Sequence, residues 1–257
     1  AVSGAGTVVT GTVHSGSAQK DSTLFHYPSN SQVKVRSLRA QDQEVSSARA
    51  GDRCSINIAG LNVDQIARGD WLSSITLPHL TNLSVNLSAL PNFPRNIKHW
   101  SPVHVYHATT HSTGRVALLE SNSLKPGEEQ LADIVLDKPL ASFHGDRLIL
   151  RDQSLDLTLG GARVIYGETE NVYRRRSAKR ITTIKANEGD SALQAIKSLL
   201  KTESVNINDI AQNWLISEDS VIRELEKEKA KIIGQFAMPI DRWKEHLEES
   251  FKTVTSK

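Results

Sequence analysis

The chain has 257 residues, with 31 Lys and Arg against 29 Asp and Glu, a formal net charge of +2 and a single cysteine. Lone Cys54 excludes an intramolecular disulfide framework, and no apolar run approaches the roughly 20 residues with which a helix spans a bilayer. Mild basicity permits a nucleic-acid partner without requiring one, and no signal peptide precedes the first structured residues, so a cytoplasmic protein with no membrane partner is expected.

Along the chain, the first 170 residues or so read as short strands separated by turn residues. The strand candidates are Gly6 to Val13, Gln32 to Leu38, Arg53 to Ala59, Leu80 to Leu87, Pro102 to Ala108, Gln130 to Leu136, Arg147 to Arg151 and Ala162 to Tyr166. Many alternate apolar and polar residues, the period of a half-buried antiparallel strand. Pro28-Ser29-Asn30, Ala50-Gly51-Asp52, Lys125-Pro126-Gly127 and Gly145-Asp146 mark turns between them. This spacing predicts small barrels or sandwiches, with a seam near Leu77-Pro78. Residues 169–189 read as a polar linker. Tyr173 to Arg180, the densest basic run, is either a solvated linker or an RNA contact.

Beyond residue 187 the period becomes helical. Leu193, Ile196, Leu199 and Leu200 line one helix face. Asn206 and Ser217 are N-caps of two more helices, the first carrying Ile210 and Trp214, the second opening on Glu218 and Asp219. Lys231 to Met238 reads as a hairpin around Gly234, and a last helix starts near Pro239 with Trp243, Leu247 and Phe251 on one side. Three helices and a hairpin predict an α+β winged helix-turn-helix over 190–257. The second of its capped helices begins acidic, which disfavours phosphate contact, so a spacer or protein-contact role is expected.

Gly4 to Gly11 is glycine-rich, but Thr12-Val13 stand where a phosphate loop needs Lys-[Ser/Thr], and no helix pattern follows. A strand after a tight turn is the better reading. No catalytic constellation appears, so the chain itself is not expected to be an enzyme. His99, His104, His107, His111 and His144 carry no clustered cysteine or carboxylate, so no metal is assigned; on a strand His104 and His107 face opposite sides.

The run GAGTVVTGTVHSG, then Ala50-Gly51-Asp52-Arg53, Asn57 to Leu61 and Ile66 to Leu72, resembles the second domain of the EF-Tu family of translational GTPases, a β-barrel. His104 to Glu120 and Asp146 to Ile165 are similar to the third domain, also a barrel. His107-Ala108 to Val116, Arg147 to Asp152 and Gly161-Ala162-Arg163-Val164, with winged-helix modules appended, resemble the selenocysteine-specific elongation factor (SelB) branch. The expected architecture is thus two antiparallel β-barrels, 1–77 and 78–168, then a linker and a winged helix.

The resemblance implies selenocysteyl-tRNA and the ribosome as partners, with a messenger-RNA hairpin read by modules beyond Lys257. It implies GTP and magnesium only in a GTPase domain outside this chain, and no cofactor here. It places Arg53 in the aminoacyl pocket, where a cation would select a deprotonated selenol over a serine hydroxyl by a charge-assisted contact. A surface arginine paired with Asp52 or Asp70 is the competing reading. It places Thr113, Arg115, His107, His111 and Arg151 toward the tRNA T stem, where contacts to phosphate and ribose fix orientation. Arg115 reads equally as a salt-bridge partner. A DNA-binding regulator with a β-rich sensor region, or another tRNA-carrying translational GTPase, are the rival functions. Ala1 as first residue and Met238 as the one methionine lead to the expectation of a piece of a longer protein.

Overall fold

The structure, a computed structural model, describes residues 6–154, 156–168, 174–202 and 204–255. It divides into two compact units. One runs to His79 and includes Ala108–Thr110; the other holds Leu80–His107 and His111 onward. Gly4, Ala5 and Tyr173, which the motif readings used, lie outside the described residues.

The first unit contains β1 (Thr7–Thr12), β2 (Ser17–Gln19), β3 (Thr23–Tyr27), β4 (Ser31–Ala40), β5 (Gln43–Val45), β6 (Ser47–Arg49), β7 (Arg53–Ala59) and β8 (Trp71–Ser73). A six-stranded sheet runs β1-β7-β4-β3-β8 with β5 on β4, and β2 pairs with β6 in a separate ribbon. In β7 the alternation is regular, and Cys54, Ile56 and Ile58 face the core. In β4 it breaks: Val33 and Val35 point inward, but the next core residue is Leu38. The β4–β7 register slips between Val35 and Ser37. A bulge of one residue inverts which parity faces the core, and here it keeps Ser37 out and brings Leu38 in. Gly6 opens β1 at φ +80, and a Cβ there would sit 2.2 Å from Asn57 Oδ1, so the start of this strand admits only glycine.

The second unit begins with β9 (Leu80–Ala89), β10 (Ile97–Lys98), β11 (Ser101–His107), β12 (Thr110–Leu118), β13 (Ser123–Leu124), β14 (Glu129–Leu140), β15 (Arg147–Asp152) and β16 (Thr158–Glu168). Six of these close into a barrel, in the order β11-β12-β14-β9-β16-β15, and β10 pairs with β13. Leu83, Val85, Leu87, Val103, Val105, Ile134, Leu148 and Leu150 fill its interior. Closure leaves no free edge within the ring. Gly114 lies where a Cβ would meet the Val135 carbonyl oxygen at 2.3 Å, so the β12–β14 approach requires it.

After the barrel strands come α1 (Ala178–Ala186), α2 (Ala192–Thr202), β17 (Val205–Asn206), α3 (Ile207–Trp214), α4 (Glu218–Lys227), β18 (Ala230–Ile233), β19 (Phe236–Pro239) and α5 (Ile240–Thr255). The last three strands form a sheet in the order β17-β19-β18. Asn206 Oδ1 accepts from the N–H of Asn208 and Asp209, and Ser217 Oγ accepts from that of Ser220, capping α3 and α4. Ile196, Leu199, Leu200, Val205, Ile210, Val221 and Leu225 form their shared core. Leu193 does not join it and is 37% exposed. Trp214 packs partly against this core, and the side chain of Phe251 lies outside the described residues.

The expected linker at 169–189 is corrected: it contains α1. Ser177 Oγ accepts from the N–H of Arg180, and Ile181 and Ile184, one turn apart, pack with Leu119, Leu131 and Ile165 of the barrel unit. The basic run is the fastening. Arg180 Nη2 donates to Asp133 Oδ1 at 3.0 Å, to Glu168 Oε2 at 2.8 Å and to Ser84 Oγ at 2.9 Å. Arg175 Nε lies 3.6 Å from Asp133 Oδ2. Arg176 donates to the carbonyl oxygens of Leu118 and Ser121 and to Asn122 Oδ1. Asp133 is fully buried on β14. Burial opposes the charge of Arg180, but Asp133 and Glu168 more than offset it, and its pKa is raised.

Removing one member of a buried pair leaves an uncompensated charge. Arg180→Met is expected to lower the unfolding free energy by about 3 kcal/mol in urea titration. The double variant Asp133→Asn, Arg180→Met is expected to lose less than the two single changes added together.

Candidate nucleic-acid interface

In the first unit the candidate pocket cation is the first residue of β7. Arg53 is exposed and stands opposite Thr12. The turn before it is tied to the end of β1: Val13 N–H donates to Asp52 O at 2.9 Å and Gly51 N–H to Val13 O at 2.9 Å. The Asp52 carboxylate is turned back onto the N–H of Arg49 at 2.8 Å. Asp70 accepts from the N–H of Ala67 at 2.7 Å and lies 2.9 Å from Nε2 of buried His26, so it staples the loop before β8 to β3. Among the described residues, neither carboxylate forms an ion pair with Arg53. Burial, with Asp70 beside it, pushes the Tyr27 hydroxyl up to about 12, so it stays protonated at neutral pH.

On the barrel of the second unit the register sorts the expected RNA-facing residues into two groups. His104 stands opposite Arg151 and Tyr106 opposite Ile149 across β11 and β15, all on the outward parity. His111 is exposed and stacks on Tyr106, with ring centroids 5.7 Å apart. Arg115 is exposed and donates to the Trp100 carbonyl at 3.4 Å; among the described residues it has no carboxylate partner. Thr113 donates its hydroxyl to Asp137 Oδ2. Arg151 closes the turn between β15 and β16, with Nη2 2.9 Å from Asp156 Oδ1 and 2.6 Å from its carbonyl.

The placement of His107 is a correction. It lies three residues from His104 on β11 and so on the opposite face, buried at 3% exposure with Nε2 3.0 Å from Asp146 Oδ2. Burial works against the Asp146 carboxylate, but the hydrogen bond and charge of His107, with the Phe143 N–H and Ser142 hydroxyl, hold it below the usual carboxylate range. His107 is therefore a strut inside the unit, and Tyr106 and His111 are ring side chains left on the outward side. Among the described residues no three His, Cys, Asp or Glu side chains gather as metal ligands.

Trp100 escaped the sequence reading. It sits in the turn between β10 and β11 at φ +69, 44% exposed, with the Arg175 guanidinium carbon 5.9 Å from its ring centroid. Only its exposed aromatic character in a basic neighbourhood could have singled it out, and Lys98-His99 alone was too weak a signal.

The barrel and the helices meet at His144. Its ring stacks on Trp214 at 3.7 Å and 19°, and its N–H donates to the Asn213 carbonyl at 2.8 Å. Asn213 Nδ2 donates back to the Ile165 carbonyl at 2.9 Å, and the Tyr166 hydroxyl donates to Asp209 Oδ2 at 3.3 Å. Burial lowers the His144 pKa despite the Ile165 carbonyl on its Nδ1. This stacking explains why Trp214 is only partly inside the helical core.

Two family profiles match the chain: "Elongation factor Tu domain 2" over residues 6–73 and "Selenocysteine-specific elongation factor, beta-barrel domain" over 82–171. The chain is 38% identical over 212 residues to the selenocysteine-specific elongation factor of Escherichia coli (strain K12), covering 82% of this chain and 33% of that one. It is 32% identical over 194 residues to that of Desulfomicrobium baculatum, covering 75% of this chain and 31% of that one. It thus spans about a third of the length of these relatives. A crystal structure of a bacterial selenocysteine-specific elongation factor, EF-Sec, aligns over 100% of this chain and 41% of its own length, with a TM-score of 0.71 at 18% identity, a likeness of fold. No described helix is long and apolar enough to cross a membrane.

The lowered pKa of His144 sets a pH dependence. Folding favours the neutral ring, so its contribution is present above the unfolded value of about 6.5 and is lost as pH falls through the folded value. Urea midpoints at pH 7.5 and 5.5 are expected to fall further for the unaltered chain than for His144→Phe, which keeps the stacking and cannot titrate. The difference between the two removes the contribution of Asp209, whose carboxyl is raised by burial and acts with the opposite sign.

Proposed function

Given that this chain belongs to the selenocysteine-specific elongation factors, we propose that it is the part of such a factor that holds selenocysteyl-tRNA for delivery to the ribosome. The observation that carries the reading is Arg53, an exposed guanidinium at a strand start, while Asp52 and Asp70 are engaged with other groups. A selenol is deprotonated at neutral pH, and a guanidinium gives it a charge-assisted contact that a serine hydroxyl cannot match. On the barrel unit, Arg115, Arg151, Thr113 and His111 supply an outward polar and basic face suited to phosphate and ribose.

The finer assignments follow from this reading. α2, α3 and α4 with the β17-β19-β18 sheet have the composition of a winged helix-turn-helix. Glu218 and Asp219 open α4, and Lys227 and Lys197 on and beside it are paired with Glu224 and Glu228, which suits a spacer or protein contact better than a phosphate contact. GTP hydrolysis with magnesium, and messenger-RNA hairpin reading, belong to parts of the protein outside these residues. The setting is the cytoplasm.

A binding titration with selenocysteyl-tRNA, seryl-tRNA of the same body and an ordinary elongator tRNA tests the reading. Arg53→Ala is expected to weaken selenocysteyl-tRNA about tenfold or more, the loss of a hydrogen bond to a charged group, and to leave seryl-tRNA nearly unchanged. Equal losses for both would reduce Arg53 to a general electrostatic role. Equal affinity of the unaltered chain for duplex DNA would overturn the carrier reading.

A further inference from the structure

Trp100 is an unusual residue for its position. A large L side chain at φ +69 is disfavoured by contact between Cβ and the following carbonyl, and Gly or Asn fit there better. The indole is not fixed there by core packing, since 44% of it is in solvent. The backbone is held from both ends: the Trp100 N–H donates to the Val116 carbonyl at 2.6 Å, and the Trp100 carbonyl accepts from Arg115 at 3.4 Å. The Arg175 guanidinium stands 5.9 Å from the ring centroid and is anchored in turn 3.6 Å from buried Asp133. The ring is thus presented to solvent on a rigid mount, at the cost of backbone strain that folding alone does not explain.

Its neighbours select the partner. Lys98, two residues before it, and Arg115 on β12 are both exposed and, among the described residues, neither has a carboxylate partner. An apolar protein partner would gain nothing from two unpaired cations beside the indole. A nucleic-acid strand offers both required features, a π-face and adjacent phosphates. Resting on the reading above that this barrel meets tRNA, we infer that Trp100 is a stacking contact for a nucleotide of the RNA, with Lys98 and Arg115 on the flanking phosphates.

The test separates strain from function. Trp100→Asn relieves the backbone and removes the ring, so it is expected to melt no lower than the unaltered chain while binding a selenocysteine tRNA about tenfold or more weakly, the magnitude of one lost base–aromatic stack. Trp100→Phe is expected to retain most of the affinity. Lys98→Ala and Arg115→Ala are each expected to lower the slope of log affinity against log salt by about 1, which Trp100→Asn leaves unchanged. If Trp100→Asn binds as tightly as the unaltered chain, this inference fails and the carrier reading stands. If the unaltered chain binds no RNA at any salt concentration, both fail.

Discussion

A carboxylate buried in a barrel wall governs the second unit. Asp133 has no access to water, and an isolated ion in such surroundings costs several kcal/mol. The barrel strands supply only a hydroxyl, that of Ser84. The neutralising cations come from the segment after the last barrel strand, Arg180 on α1 and Arg175 just before it. Because a guanidinium can satisfy several acceptors from one planar fork, Arg180 also gathers Glu168 at the end of β16. Asp133 alternates with the interior residues Ala132 and Ile134 and so faces outward, beneath the segment whose arginines neutralise it, and the His144–Trp214 stack and the Asn213–Ile165 hydrogen bond extend that attachment to α3.

The same accounting separates cations that build the molecule from cations left to act. The basic run spends Arg175, Arg176 and Arg180 on internal acceptors. Arg53, Lys98 and Arg115 keep their charge toward solvent. On β11 strand parity does the sorting: three residues separate His104, on the outward face, from His107, locked against Asp146. Side chains of one type thus have different roles according to which side of a sheet they occupy.

Much of the strand pattern was legible because alternation survives in single strands: Arg53–Ala59 is read from Cys54, Ile56 and Ile58 alone. β3 was missed because Phe25, His26 and Tyr27 follow one another without apolar–polar alternation, although the strand forms a hairpin with β4 across the Pro28-Ser29-Asn30 turn. α1 was missed because Ile181 and Ile184 are its only large apolar residues and the basic run reads as solvated; the signal was Ser177 as N-cap with two isoleucines one turn apart. Of the expected site residues, Arg53, His111 and Arg115 are exposed, as a contact role needs. The burial of His107 depends on a partner 39 positions away, which no local pattern reveals. Gly114 shows the converse: Thr113-Gly114-Arg115 suggests an RNA-facing turn, yet it lies within strand β12, and its glycine is required by the approach of the Val135 carbonyl.

The barrel's arginine fastening bears on how such a protein can be dissected. The last barrel strand ends at Glu168, and a cut there would look like a clean separation of barrel from helices. It would also strip away both guanidiniums that pair with Asp133 and uncover the apolar patch of Leu119, Leu131 and Ile165 that α1 buries on the outer face of the barrel. The autonomous folding piece therefore extends through α1, and the helix that by order of elements begins the next module is, in energetic terms, the last part of the barrel.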